Sequence, residues 1–277
     1  MSNNIILPAT TFNWPEGAII YRIRYHDSHV LPQTVSEIYY PPKADGISLG
    51  RANGWEHQVF YGMLASEDGH ARMATYHEVS NETQFSSTFT VSRWRLKKML
   101  PNVLSLMMQE SQCQGNDWAL SCYRHTMDFL DTLPESEQAE AKRALDAIGN
   151  MFSRKVDDCN YWKSARFARK LFIDGYTAIL YPSVPYKYKA ICIALEKNAA
   201  DHFLEPLSGS LFQLQLDEGI FRERVYKNFV VEGEQLIWTD DDVGLNINPP
   251  FRQTFVRHNC SPCEAQRDKF FRNMSSE

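Results

Sequence analysis

Between Ala18 and Tyr25 the chain reads AIIYRIRY, an alternation that places Ile19, Tyr21, Ile23 and Tyr25 on one side of an extended segment and Ile20, Arg22 and Arg24 on the other. That predicts a half-buried strand. QVFYGMLA (Gln58 to Ala65) predicts a second strand. From about Glu67 to Val79, Ala71, Ala74, Thr75 and Glu78 recur at the three- and four-residue spacings of one helix face. ETQFSSTFTVS (Glu82 to Ser92), rich in Thr, Ser and Phe, predicts another strand. From about Ser92 to Ile173 the pattern is read as helical. Leu100, Val103, Leu104, Met107 and Met108 form one apolar stripe, and Trp118, Cys122, Tyr123, Met127 and Leu130 form a second. Pro134 suits the first turn of a third helix, and Asp157 would cap a fourth that ends before Gly175. Strands resume at YTAILYPS (Tyr176 to Ser183), KAICIAL (Lys189 to Leu195) and SLFQLQL (Ser210 to Leu216), with a hairpin around VEGEQLIW (Val231 to Trp238).

Strands therefore flank a helical block. With no internal repeat and no Pro-, Gly- or Ser-rich linker, the expectation is one α+β domain over residues 1–277. Its core would span about 18–91 and 174–216, with a helical insertion over about 92–173 and a C-terminal extension over about 217–277. At 277 residues and 43% hydrophobic, the chain can bury roughly 75% of its unfolded surface.

Charge narrows the choice of partners. Lys plus Arg number 29 against 34 Asp plus Glu, a net charge of -5, which offers no general attraction to nucleic-acid phosphates or anionic lipid. The basic run RWRLKK (Arg93 to Lys98) is read as a solvated helix face. The first residues show no basic and apolar leader pattern, and no apolar run approaches the roughly 18 residues of a membrane span, so a cytoplasmic protein is expected. Export by a specialised machine would need no such leader.

Six cysteines in a chain of this length do not form a disulfide framework, and reduced thiols are expected. His258, Cys260 and Cys263 have partial zinc spacing but lack a fourth ligand, so no metal is expected. His77-Glu78 opens like a metalloprotease helix, yet Asn81 stands where the second histidine belongs. Gly46, Gly50 and Gly54 match neither nucleotide-phosphate loop, and LSGSL (Leu207 to Leu211) lacks the frame of a nucleophile elbow.

What survives is a set of polar residues on otherwise apolar elements. Arg22 lies on the first strand, and Arg51 and Asn53 lie in the loop before the second. Tyr61 is on that second strand, Glu78 on the following helix, and Tyr181 and Ser183 near the end of YPSV. Tyr181 and Ser183, two apart, project to one face, and Pro182 marks a strand end or edge. An arginine in IYRIRY, the GRAN loop leading to VFYG, a glutamate seventeen residues beyond Tyr61, and a DG followed by YPSV together resemble the RES-domain family. The resemblance covers Ile19 to about Leu195, outside the helical block. Leu49 and Ala52 depart from the family's loop, which usually has a second glycine and an aromatic there. PYKYKA after YPSV departs from its glycine-rich continuation.

The resemblance implies an ADP-ribosyltransferase-like mixed sheet and a toxin that consumes NAD+ by breaking its nicotinamide–ribose bond. Such toxins are commonly covered at the active-site entrance by an Xre-type antitoxin. Arg22, Glu78 and Ser183 would be catalytic, and Arg22, Arg51, Asn53, Tyr61 and Tyr181 would bind the dinucleotide. The chemistry suits these side chains. Guanidinium forks pair with pyrophosphate oxygens, and a carboxylate stabilises the oxocarbenium ion that forms as the bond breaks. Nicotinamide leaves as a neutral molecule, so the second carboxylate that protonates an alkoxide in ordinary glycosidases is not required. Water, phosphate or a macromolecule could accept the ribosyl group. An antitoxin or an immunity protein would be the toxin's partner, and a non-catalytic binding protein on the same scaffold is the other class left open.

Overall fold

The computed structural model describes residues 9–26, 31–41, 49–66, 70–79, 87–153, 161–217 and 220–239. The expectations that concern Gly46, Asn81, Asp157 and the His258, Cys260, Cys263 group lie outside them. The chain is α+β. In order, its elements are β1 (Thr11–Trp14), β2 (Ile19–Tyr25), α1 (Val35–Ile38), β3 (Val59–Leu64), α2 (His70–Glu78), β4 (Ser87–Leu96) and β5 (Leu100–Ser105). Then follow α3 (Asp117–Asp131), α4 (Glu135–Ser153), α5 (Trp162–Ile173), β6 (Ala178–Pro182), β7 (Ile191–Glu196), α6 (Lys197–Phe203), β8 (Leu204–Asp217), β9 (Ile220–Glu232) and β10 (Gln235–Thr239).

Among the described residues the strands form one sheet in the order β1-β5-β6-β7-β3-β2-β4-β8-β9-β10. Neighbours are antiparallel except β5 and β6. The expected hairpin is β9–β10, and it continues the sheet beyond β8. Because side chains alternate across a strand, the sheet separates two cores. Ile20, Phe60, Trp94, Leu180 and Ile193 pack on one side with Ala199 and Ala200 of α6 and Ala119 of α3. Val59, Met63, Ile179, Cys192 and Ala194 pack on the other with α2, α4 and α5, through Ala71, Ala74, Leu145, Phe152, Ala168 and Leu171.

The helical block starts later than its apolar stripes suggest. RWRLKK is the end of β4 and the turn after it, not a helix face: Trp94 and Leu96 are buried while Arg93 and Arg95 point out, and Arg95 pairs with Glu205 on β8 at 2.6 Å. Leu100, Val103 and Leu104 lie on β5, a strand covered on both sides. A short run of apolar residues fits that setting as well as a helix, and periodicity cannot separate the two. α3 then begins where Asn116 caps it, its side chain accepting from the backbone of Ala119 at 3.0 Å. In β2 the better-buried side is that of Ile20 and Arg22, the reverse of a simple greasy-inside reading, because β2 is an interior strand of the sheet.

One irregularity in the sheet positions everything that follows. β2 and β3 pair only through Ile20 with Leu64 and Tyr21 with Met63. Beyond that point β2 stays with β4 as far as Tyr25, while β3 stays with β7 back to Val59. The strands part, opening a wedge, and α2 packs against both of them. Gly62 sits at the point of parting. A Cβ there would lie 2.4 Å from Cγ2 of Ile20 and 3.0 Å from the carbonyl oxygen of Tyr21, so only glycine permits the approach.

Among the described residues no helix is long and apolar enough to cross a membrane.

Candidate functional site

A cavity of about 240 Å³ occupies the wedge. Tyr21, Arg22 and Ile23 line it from β2, Tyr61, Gly62 and Met63 from β3, and Thr75 and Glu78 from α2. Arg51, Val79, Tyr161, Tyr181 and Cys192 complete it. Arg22 and Glu78 thus share one pocket despite coming from different elements.

Arg22 fills the gap that the missing β2–β3 pairs leave. Its Nη1 donates to the carbonyl of Tyr61 at 2.6 Å and its Nη2 to that of Tyr39 at 3.1 Å, and its guanidinium lies 5.0 Å from the ring centre of Phe60. The side chain stands in for lost ladder bonds. Burial, with the neighbouring Arg24, pushes the guanidinium down to about 9, which leaves it cationic at neutral pH. Its Nε is buried with no hydrogen-bond partner. An orphaned donor on a buried cation is costly.

The GRAN loop folds onto Tyr61. Gly50 donates from its backbone to the carbonyl of Asn53 at 3.1 Å, closing a turn. The Tyr61 hydroxyl accepts from the backbone of Ala52 at 2.7 Å and donates to Asn53 Oδ1 at 2.8 Å. A Cβ on Gly50 would meet Asn53 Oδ1 at 2.2 Å and the Tyr61 hydroxyl at 2.9 Å. The polar residues ahead of VFYG therefore hold one ring in place. Asn53, expected to touch a ligand, instead stands behind Tyr61 and is not part of the cavity wall. Burial raises the Tyr61 phenol far above its usual range, so it is a neutral wall with a spoken-for hydroxyl.

Arg51 links the loop to the helical block. Its Nη1 donates to the carbonyl of Phe152 in the last turn of α4, where carbonyls lack helix partners. Its guanidinium lies 5.1 Å from the Tyr161 ring centre and 5.9 Å from that of Tyr181. Such stacking suits a weakly hydrated planar cation.

Glu78 is the last residue of α2. Its Oε1 accepts from Ser183 Oγ at 2.7 Å and from Cys192 Sγ at 3.6 Å. Both bonds end on the same oxygen, and among the described residues the other carboxylate oxygen has no hydrogen-bond partner. Ser183, fully buried just past β6, is not itself on the cavity wall and acts through Glu78. Glu78 keeps an accessible surface because it lines an open cavity and ends a helix. Protein nevertheless surrounds the carboxylate, and that loss of water raises its pKa above the usual range, partly offset by Ser183, Arg51 and Cys192. The cavity's other acidic groups, Tyr181 and Cys192, are pushed up by burial and stay neutral. The pocket thus presents two guanidiniums, one carboxylate and a largely aromatic wall.

Of the residues expected from sequence, Arg22, Arg51, Tyr61, Glu78 and Tyr181 meet on the cavity, while Ser183 and Asn53 brace two of them. Tyr21, Tyr161 and Cys192 were not foreseen. Tyr21 follows the same alternation as Ile19, so nothing in the pattern singles it out. Cys192 faces Tyr181 only through the register of β6 and β7, and Tyr161 reaches the pocket only because α4 and α5 fold back over the sheet. Compared with models of known protein families and with curated protein sequences, the chain matches none.

Proposed function

We propose that the chain is a RES-type enzyme that consumes NAD+ by breaking its nicotinamide–ribose bond, on an ADP-ribosyltransferase-like core. The observation that carries this reading is Glu78. It is a single carboxylate with one oxygen fixed by Ser183 and Cys192 and the other without a hydrogen-bond partner among the described residues, and it shares its pocket with Arg22 and Arg51. The arginines would hold the anionic bridge of the dinucleotide, and the carboxylate would face the ribose as it becomes cationic. The tyrosine rings offer flat surfaces to the nicotinamide. Bond cleavage sends the electron pair to the ring nitrogen, which leaves neutral. Water or phosphate then takes the anomeric carbon, and transfer to a macromolecule would use the same electrophile. An Xre-type antitoxin covering the cavity mouth is the partner this reading entails.

The test is free nicotinamide. Purified protein incubated with NAD+, with and without inorganic phosphate, is expected to release it, and phosphate dependence would separate phosphorolysis from hydrolysis. No release above a Glu78→Gln control removes the reading. Labelled NAD+ in a lysate checks for transfer, since a modified macromolecule would retain the label.

The pH dependence has a defined sign. Only the ionised carboxylate stabilises an oxocarbenium ion, and burial holds Glu78 above the ordinary carboxylate range. The acid limb of kcat/KM therefore lies above that range. Ser183 donates to the charged form and lowers the pKa, so Ser183→Ala should move the limb further up. Loss of a hydrogen bond to a charged group is worth roughly 1.5–3 kcal/mol, so activity at a fixed pH on the acid limb should fall about 10- to 100-fold while the plateau changes little. An unmoved acid limb in Ser183→Ala would mean that Ser183 has no hold on the catalytic charge.

A further inference from the structure

Resting on the NAD+ reading, we infer that the pocket recognises only the nicotinamide mononucleotide half of its substrate and therefore also cleaves free nicotinamide mononucleotide. The cavity measures about 240 Å³, below the roughly 300–1,000 Å³ that engulfs a drug-sized ligand, and a dinucleotide is larger than that class. A pyridinium ring, one ribose and one phosphate match the space that the described residues enclose, with the remaining nucleotide beyond that wall.

The wall chemistry matches that half. Tyr21, Tyr61, Tyr161 and Tyr181 supply the aromatic surface for one ring, Glu78 supplies one carboxylate for one sugar, and Arg22 and Arg51 supply two guanidiniums. Two guanidiniums suit a terminal phosphate, a near-dianion at neutral pH, at least as well as the singly charged phosphates of a pyrophosphate bridge. Arg22 adds a cation to the wall. The residue is only 8% exposed, it lines the cavity, and its Nε lacks any partner. For the mononucleotide the balance is simple. The C1′–N bond breaks, its electron pair goes to nicotinamide, water oxygen bonds to C1′, and one proton is released to give nicotinamide and ribose 5-phosphate.

An enzyme that drew on contacts to the distant adenosine would lose kcat as well as binding when that half is removed. Here the loss should be small. Free nicotinamide is measured for wild-type protein with nicotinamide mononucleotide, NAD+ and NADP+ in turn, with Glu78→Gln as the blank. The expected result is a kcat/KM for the mononucleotide, and for NADP+, within about 10-fold of that for NAD+. Cleavage of NAD+ with a kcat/KM for the mononucleotide more than about 10-fold lower overturns the inference and leaves the NAD+ reading standing. Cleavage of none of the three overturns both.

Discussion

Glu78→Gln should lower kcat for nicotinamide release by about 10²- to 10³-fold, the usual cost of removing a placed electrostatic group, with little change in KM. Glutamine keeps the shape, and its amide oxygen can still accept from Ser183 Oγ, so the pocket should stand. Only the charge opposite the developing cation is lost. The same substitution should not weaken the fold. In the folded protein the Glu78 pKa is raised, so the folded state binds more protons than the unfolded state as pH passes from the unfolded value to the folded one. Stability from this group is greatest below the unfolded pKa and falls as pH rises through the folded pKa. At neutral pH the ionised carboxylate costs some stability, a cost that its solvent exposure keeps small, and glutamine removes it. Glu78→Gln is thus expected to melt at or above the wild-type Tm near pH 7, with the advantage disappearing in acid. Thermal melts at both pH values together with the nicotinamide assay check this, and a variant that keeps wild-type kcat would end the catalytic assignment.

That opposition between activity and stability also explains why this part of the chain was readable. Arg22 and Glu78 are charges on elements that otherwise obey simple apolar patterns, and local rules broken without local compensation tend to mark sites. β2 and α2 carry periods of two and of 3.6, and β3 is a short apolar run between polar segments, so they and their exceptions could be placed from sequence. The run from Arg93 to Met108 could not. Arg93 to Leu96 does alternate, with Trp94 and Leu96 inward and Arg93 and Arg95 outward, but over so few residues that its basic charge reads equally well as a helix face, whereas Leu100 and Leu104 lie in β5, covered on both sides, which erases the alternation that identifies a strand. α6 is a single short helix whose cap, Glu196 accepting from the backbones of Asn198 and Ala199 at 2.6 and 3.1 Å, closes a strand-to-helix junction with little local periodicity. The parting of β2 from β3 is tertiary. It shows in sequence only as Gly62 beside Tyr61, and its meaning depends on Ile20 lying 2.4 Å from where a Cβ would be. Cys192 and Tyr161 depend on strand register and on helix packing, neither of which a single sequence encodes locally.

Arg51 joins the helical block to the chemistry, and substituting it should have the second large effect. Its guanidinium bonds the end of α4 through Phe152, lies near the rings of Tyr161 and Tyr181, and acts on the charge of Glu78. Arg51→Met keeps much of the apolar volume and loses all of the charge. Removing one charge-assisted contact to an anion is worth roughly 1.5–3 kcal/mol, so KM should rise about 10- to 100-fold. Because Arg51 lowers the pKa of Glu78, the acid limb of the activity profile should also move up. Arg51→Lys separates the contributions. An ammonium restores charge, so the acid limb should return toward wild type, yet it cannot span Phe152 and lie flat between two tyrosines as the planar fork does. KM should therefore recover only in part. If Arg51 served only to tie down α4, both variants would lose Tm through the freed Phe152 carbonyl while KM and the pH profile of the folded enzyme stayed put. Movement of the acid limb in Arg51→Met and its return in Arg51→Lys is a pattern that a purely structural arginine does not produce, and it makes the helical insertion part of the site rather than a decoration on it.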